Sequence, residues 1–200
     1  MVYLITVVLG TVLIALSNFL LDQVYHPAAF GTHLLVTLLG VVAVFAIDGL
    51  LAFVIRRLPS RWFLPEARLF SVGKWEKNLY RRTKINCWKK YVPEWGCFTG
   101  FRKDKMRSAD DSDYIGRFLL ESNYGVAGHV AGAAFGFLIL LIPQLRTLSV
   151  ALPIAVINMI LSLLPTMILR FNTPALRRLY RRNLEREQKQ RSAFEGTNIL

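Results

Sequence analysis

Little in this sequence supports metal or disulfide chemistry: its 200 residues include two cysteines and three histidines. No histidine lies near Cys87 or Cys97, so the company of a zinc site is missing. The cytoplasmic setting argued below disfavours a disulfide, and the pair reads as two ordinary thiols. Several catalytic signatures are also absent. No histidine is followed five positions on by an aspartate, the mark of soluble-type glycerolipid acyltransferases. There is no G-x-S-x-G elbow, no P-loop, no G-x-G-x-x-G and no carboxylate pair that suggests glycoside hydrolysis. Acidic residues are scarce too, 13 against 25 Lys and Arg, which leaves a formal charge of +12.

What is present is apolar length. Hydrophobic residues make up 54% of the chain, too many for an ordinary soluble domain of this size. Val2–Leu21 is a nearly uncharged run of spanning length. It follows Met1 without a basic n-region, so signal cleavage is not expected, and Ala15-Leu16-Ser17 is a feeble cleavage site. Residues 30–55 form a second run interrupted only by Asp48, residues 124–142 a third rich in glycine and alanine, and residues 148–169 a fourth containing Pro153 and Pro165. The expected fold is an all-α integral membrane protein of about four transmembrane helices, a single membrane domain over residues 1–200.

The charge is distributed by topology. Of the 25 basic residues, sixteen lie in residues 56–123 and eight in the tail from Arg170, and only Arg146 falls in an expected outer loop. The positive-inside rule then places both termini, the middle segment and the tail in the cytoplasm, in a multi-pass cell-membrane protein. The basic excess is read as a topology and anionic-lipid signal, not as nucleic-acid binding. Within the middle segment Trp62, Trp75, Trp88 and Trp95 alternate with Lys and Arg, which suits short amphipathic helices at the headgroup layer or a small cytosolic helical cap. Pro59, Pro65, Pro93 and Gly96 preclude one long helix there. The tail from Arg170 is a charged helix candidate.

Ionisable groups inside a span are costly and therefore functional candidates. Asp48 lies about 12 Å from the cytoplasmic end of its helix and His129 about 9 Å deep in the next span, so the two lie at similar depths. Asp48 is placed to orient His129 if the helices pack together, and a positioned imidazole can take a proton from an alcohol; a structural interhelical hydrogen bond is the alternative. Glu121 precedes His129 by eight residues, about 12 Å along a helix axis. Gly128, Gly132 and Gly136 form a small-residue stripe that admits a close partner helix. Asn158, near the middle of the fourth span, reads as an interhelical hydrogen-bonding group.

Three stretches carry a family resemblance. The first is Gly73-Lys74-Trp75-Glu76-Lys77-Asn78-Leu79-Tyr80, followed by Lys84-Ile85-Asn86-Cys87-Trp88-Lys89-Lys90-Tyr91-Val92-Pro93-Glu94. The second is Phe118-Leu119-Leu120-Glu121-Ser122 and then His129; the third is Leu164-Pro165-Thr166-Met167-Ile168-Leu169-Arg170-Phe171-Asn172-Thr173-Pro174. In this order, between spans in the right places, they resemble the glycosyl-4,4'-diaponeurosporenoate acyltransferase family of small integral membrane acyltransferases, which complete staphyloxanthin-type carotenoids. The resemblance covers roughly residues 65–182. Tyr124, Val126, Val130 and Thr173 stand where the family pattern has Arg, Glu, Trp and Arg.

The resemblance implies transfer of a fatty acyl group to a hydroxyl of a lipid-linked sugar or similar lipid acceptor, with no resident cofactor and an acyl donor such as acyl-CoA as co-substrate. It implies His129 as general base with Glu121 as its companion, and Arg170, Asn172, Trp75, Glu76, Trp88 and Lys89, beside Lys84 and Lys90, as substrate-binding residues; the intramembrane polar groups add Asp48 to the catalytic candidates and Asn158 to the binding ones. No metal is expected. Partners are membrane lipids, the glycolipid acceptor, the donor, and a membrane protein or second copy of the chain. Two other classes stay open: a non-catalytic subunit docking a partner enzyme, and a lipid or small-solute carrier using Asp48 and His129 as a proton relay.

Overall fold

Apolar length decides the first two helices. In a computed structural model that describes residues 2–22, 29–92 and 108–197, α1 spans Val2–Asp22 and α2 spans Phe30–Arg57. Both match the runs read from sequence to within two residues, because about 20 apolar residues are needed to satisfy the backbone across a bilayer. Their outward side chains, among them Leu13, Leu35, Val42 and Phe53, are exposed and apolar, which is the surface lipid requires. Four helices are long and apolar enough to cross a membrane, and no strand occurs among the described residues.

The middle segment breaks into short pieces. Turns of 3-10 helix at Ser60–Trp62 and Arg68–Phe70 precede α3 (Lys74–Arg82) and α4 (Ile85–Trp88). Trp95, Cys97, Pro93, Glu94 and Gly96 lie outside the described residues, as does Met1.

The third span extends beyond the apolar run. α5 covers Ser112–Phe135 and continues as 3-10 helix over Gly136–Leu141. It starts twelve residues before Tyr124 because Asp111 caps it, its carboxylate accepting the Tyr114 N–H at 3.0 Å, a bond worth about 1 kcal/mol. Ile115, Phe118 and Leu119 then supply a buried helical stripe. After a π-helical turn at Thr147–Ala151, α6 runs from Leu152 to Thr197. The charged tail is thus one helix with the fourth span, and Pro165 and Pro174 do not end it.

The chain divides into two compact units. The first comprises Met1–Leu58, Asn86–Pro93 and Val126–Thr166. Its core gathers Ile14, Val44, Ile139, Val150, Ile154 and Ala155. At one end Asn18 donates to Ser149 O at 2.8 Å, and Arg146, in a left-handed conformation with φ 50°, pairs with Asp22. The second comprises Pro59–Ile85, Glu94–Gly125 and Met167–Leu200. There Ile115, Phe118, Leu119 and Leu176 form the core, and polar bonds flank it: Asn183 to Ala109 O at 2.8 Å and Ser112 Oγ to Glu187 at 2.8 Å.

Candidate functional site

Glycine on α5 brings a carboxylate into the first unit. A Cβ at Gly132 would stand 2.7 Å from Asp48 Oδ1, and one at Gly136 would stand 2.7 Å from Asn158 Nδ2. The absent side chains are what admit α2 and α6 here. Asn158 Nδ2 donates to Gly132 O at 3.3 Å and to Asp48 Oδ1 at 3.4 Å. Asp48 and Asn158, singled out separately in the sequence, are therefore one cluster. Gly128 has nothing within 4 Å of its Cβ position, so two of the three stripe glycines make close approaches within the chain.

His129 lies three residues before Gly132 on α5, about 60° away and about 4.5 Å along the axis, and is half-buried. Beside Asn158 a shallow apolar crevice of about 30 Å³ opens, lined by Tyr3, Gly10, Val41, Phe45, Ile157 and Asn158 among others. Trp88 and Lys89 are half-buried residues of this same unit. Glu121, also half-buried, belongs to the second unit, so the His129–Glu121 spacing remains a spacing along one helix.

The second unit joins the first and third motif stretches. Glu76, on the first turn of α3, accepts from Arg170 Nη2 at 2.7 Å and from Arg170 Nε. The Tyr80 hydroxyl, four residues on along α3, also donates to Glu76. Arg170 Nη2 reaches Ser71 O at 3.1 Å, and the Tyr80 ring meets Phe171 edge-on at 6.1 Å. Side-chain exposure is 19% at Arg170 and 14% at Glu76, so the pair is largely removed from solvent.

Burial by itself raises the Glu76 carboxyl, but the bonds from Arg170 and Tyr80 outweigh it and hold the group below the usual glutamate range. Burial and the Glu76 acceptor push the Tyr80 hydroxyl well above its ordinary value. The bond to Glu76 raises Arg170 further. The result is a fixed arrangement of carboxylate, guanidinium and neutral phenol. Of the other expected binding residues, Asn172 is half-buried and Trp75 is 76% exposed.

Sequence reading missed Tyr80 and Arg177 as members of this region. The signal for Tyr80 was its i+4 spacing from Glu76. For Arg177 it was its place two turns beyond Arg170 on the same helix face; its Nη2 donates to Ala67 O at 2.8 Å. Of the four residues that depart from the family pattern, Val130 is exposed and the other three are used in packing. Tyr124 stacks on Phe63 with ring centroids 4.0 Å apart, Val126 is buried, and the Thr173 hydroxyl donates to Leu169 O at 2.9 Å.

Comparison with known proteins agrees with the resemblance carried by the three stretches. A family model described as glycosyl-4,4'-diaponeurosporenoate acyltransferase matches residues 59–182, a range that includes all three. No curated protein and no solved structure matched the chain significantly. With the match extending over more than half of the chain, the protein belongs to the glycosyl-4,4'-diaponeurosporenoate acyltransferase family.

Proposed function

We propose that the chain moves a fatty acyl group from a thioester donor to a hydroxyl of a lipid-linked sugar, within the membrane and from its cytoplasmic side. The observation that carries this reading is the Glu76–Arg170 pair, which couples two separate motif stretches inside the region shared with the family. Both substrates carry long apolar tails, and a helix bundle open to lipid gathers them and lowers the entropic cost of their encounter.

In this reading the acyl chain lies along the exposed apolar surface of the spans, where side chains such as Leu38 and Val42 meet lipid. His129 removes the proton from the acceptor hydroxyl as its oxygen attacks the thioester carbonyl. The carbon–sulfur bond breaks, the ester bond forms, and the imidazolium returns the proton to the departing thiolate. Glu121 assists His129 or binds the sugar, and Asp48, held by Asn158 against Gly132, orients the imidazole. Arg170 and Asn172 contact the headgroup or the donor. The basic and aromatic residues Trp75, Trp88 and Lys89 meet the inner leaflet, with both termini cytoplasmic.

A second reading, a membrane subunit without turnover, draws on Tyr124, Val126 and Thr173, which pack where the family pattern has charged residues. Lipid mass spectrometry separates the two. Membranes from cells with and without the gene are compared, with complementation by wild type and by His129→Ala. The expected outcome is a glycolipid that gains one acyl mass with wild type and not with the variant, at equal protein levels. Full turnover in His129→Ala removes the base assignment. No lipid difference with wild type favours the subunit.

A further inference from the structure

Three arginines on α6 face one segment of the second unit, and they are not equally provided for. Arg170, Arg177 and Arg181 fall within an arc of about 40° around the helix and extend over about 16 Å of its axis. Against them lie residues 66–76. Arg181 Nε donates to Glu66 at 2.6 Å and Arg170 is paired with Glu76. Arg177, between them, has a backbone carbonyl: Nη2 donates to Ala67 O at 2.8 Å. Its Nε is buried and has no hydrogen-bond partner among the described residues.

A guanidinium in that position is a cost to the folded chain. An unsatisfied buried donor loses its hydration without a replacement bond, and the charges on either side are of its own sign. Burial pulls Arg177 below the usual arginine value; Glu66 opposes it, and Arg181 and Arg170 add smaller downward pushes. Among the described residues three arginines face two carboxylates, Glu66 and Glu76, and the middle arginine has no carboxylate of its own.

We propose that Arg177 is the phosphate-binding residue of this protein, the centre of a site in which Arg170 and Arg181 flank the bound group. The chemistry fits a phosphate ester because a guanidinium carries five N–H donors, Ala67 O takes one of them, and a phosphate accepts from several at once. This rests on the acyl-transfer reading for its two sources, the phosphates of a nucleotide-linked thioester donor and the phosphate of an anionic lipid headgroup. A chloride or a single backbone carbonyl satisfies one donor at a time and leaves the fork half used.

The test measures binding and needs no turnover, so it can fail independently of the acyl-transfer reading. Wild type and Arg177→Gln are reconstituted in phosphatidylcholine nanodiscs and titrated with coenzyme A; parallel nanodiscs contain phosphatidylglycerol without coenzyme A. Binding isotherms and thermal midpoints are recorded. Wild type is expected to bind or be stabilised by at least one of the two, and Arg177→Gln to weaken that response by at least about tenfold. Without any phosphate ligand beyond phosphatidylcholine, the variant's midpoint should equal or exceed that of wild type, since the substitution removes a half-buried charge. A clamp that merely ties α6 to Ala67 would instead lower it. Coenzyme A alone identifies the donor as the source, phosphatidylglycerol alone identifies the headgroup, and a response to both identifies a shared phosphate site. No wild-type response to either ligand, or an undiminished response in the variant, overturns the proposal. If Arg177→Gln does not fold, Arg177→Lys replaces it; that variant keeps the charge, loses the fork, and is expected to bind more weakly than wild type.

Discussion

Glu76 shows how a single side chain carries structure and electrostatics together. It was expected to contact substrate, and it is the acceptor for both Arg170 and Tyr80. Replacing it with glutamine leaves Arg170 partly buried without its counter-charge, a loss of about 2 kcal/mol for a pair that is mostly but not fully desolvated. The pH dependence follows from its depressed carboxyl. The folded protein holds the ionised form better than the unfolded chain does, so the stabilisation is complete above the ordinary glutamate value of about 4.5 and is lost as pH falls through the lower folded value. Thermal midpoints measured from neutral pH into the acid range should show wild type declining below that value. Glu76→Gln should start lower and decline less. Parallel curves for the two proteins would remove Glu76 from the acid limb.

At the scale of the element, hydropathy located every span, but not what the spans do to one another. The limits of α1 and α2 were legible because membrane crossing imposes a length on the apolar run. The start of α5 was not, since residues 112–123 are too polar to register as a span; its helical signal is the Asp111 cap and the Ile115, Phe118, Leu119 stripe. The rotation of each span about its axis was equally hidden. Asp48 shares a depth with His129 in the sequence, and depth alone does not tell which side chain on α6 it also meets; the structure gives it Asn158. In the second unit Glu76 and Arg170 both read as binding residues in the sequence, and their bond to each other, across 94 positions, has no local signal. The close approaches at α5 make a contrast that can be measured. Gly132→Ala must displace Asp48 and is expected to cost about 1–3 kcal/mol. Gly128→Ala meets nothing and is expected to be neutral or stabilising by up to about 1 kcal/mol, because it restricts the unfolded chain. Thermal unfolding in detergent reads both, and equal effects would mean that the carboxylate does not rest on Gly132.

For the whole molecule, charge asymmetry and the number of spans decide orientation together. Four spans return the chain to its starting side, so one located site fixes both termini. The segment between the second and third spans holds sixteen of the 25 basic residues, and a cytoplasmic location for it is what the positive-inside rule requires. The chain supplies its own reporter there: Cys87, on α4, has an exposed thiol. In a Cys97→Ser background, a membrane-impermeant maleimide should leave Cys87 unlabelled in intact cells and label it in inverted vesicles, with detergent-solubilised protein as the full-reaction control. Labelling in intact cells would invert the topology. It would also put the segment between the second and third spans out of reach of a cytoplasmic thioester donor. The donor would then have to be a lipid of the outer leaflet, and the acceptor hydroxyl would have to be presented from that leaflet too.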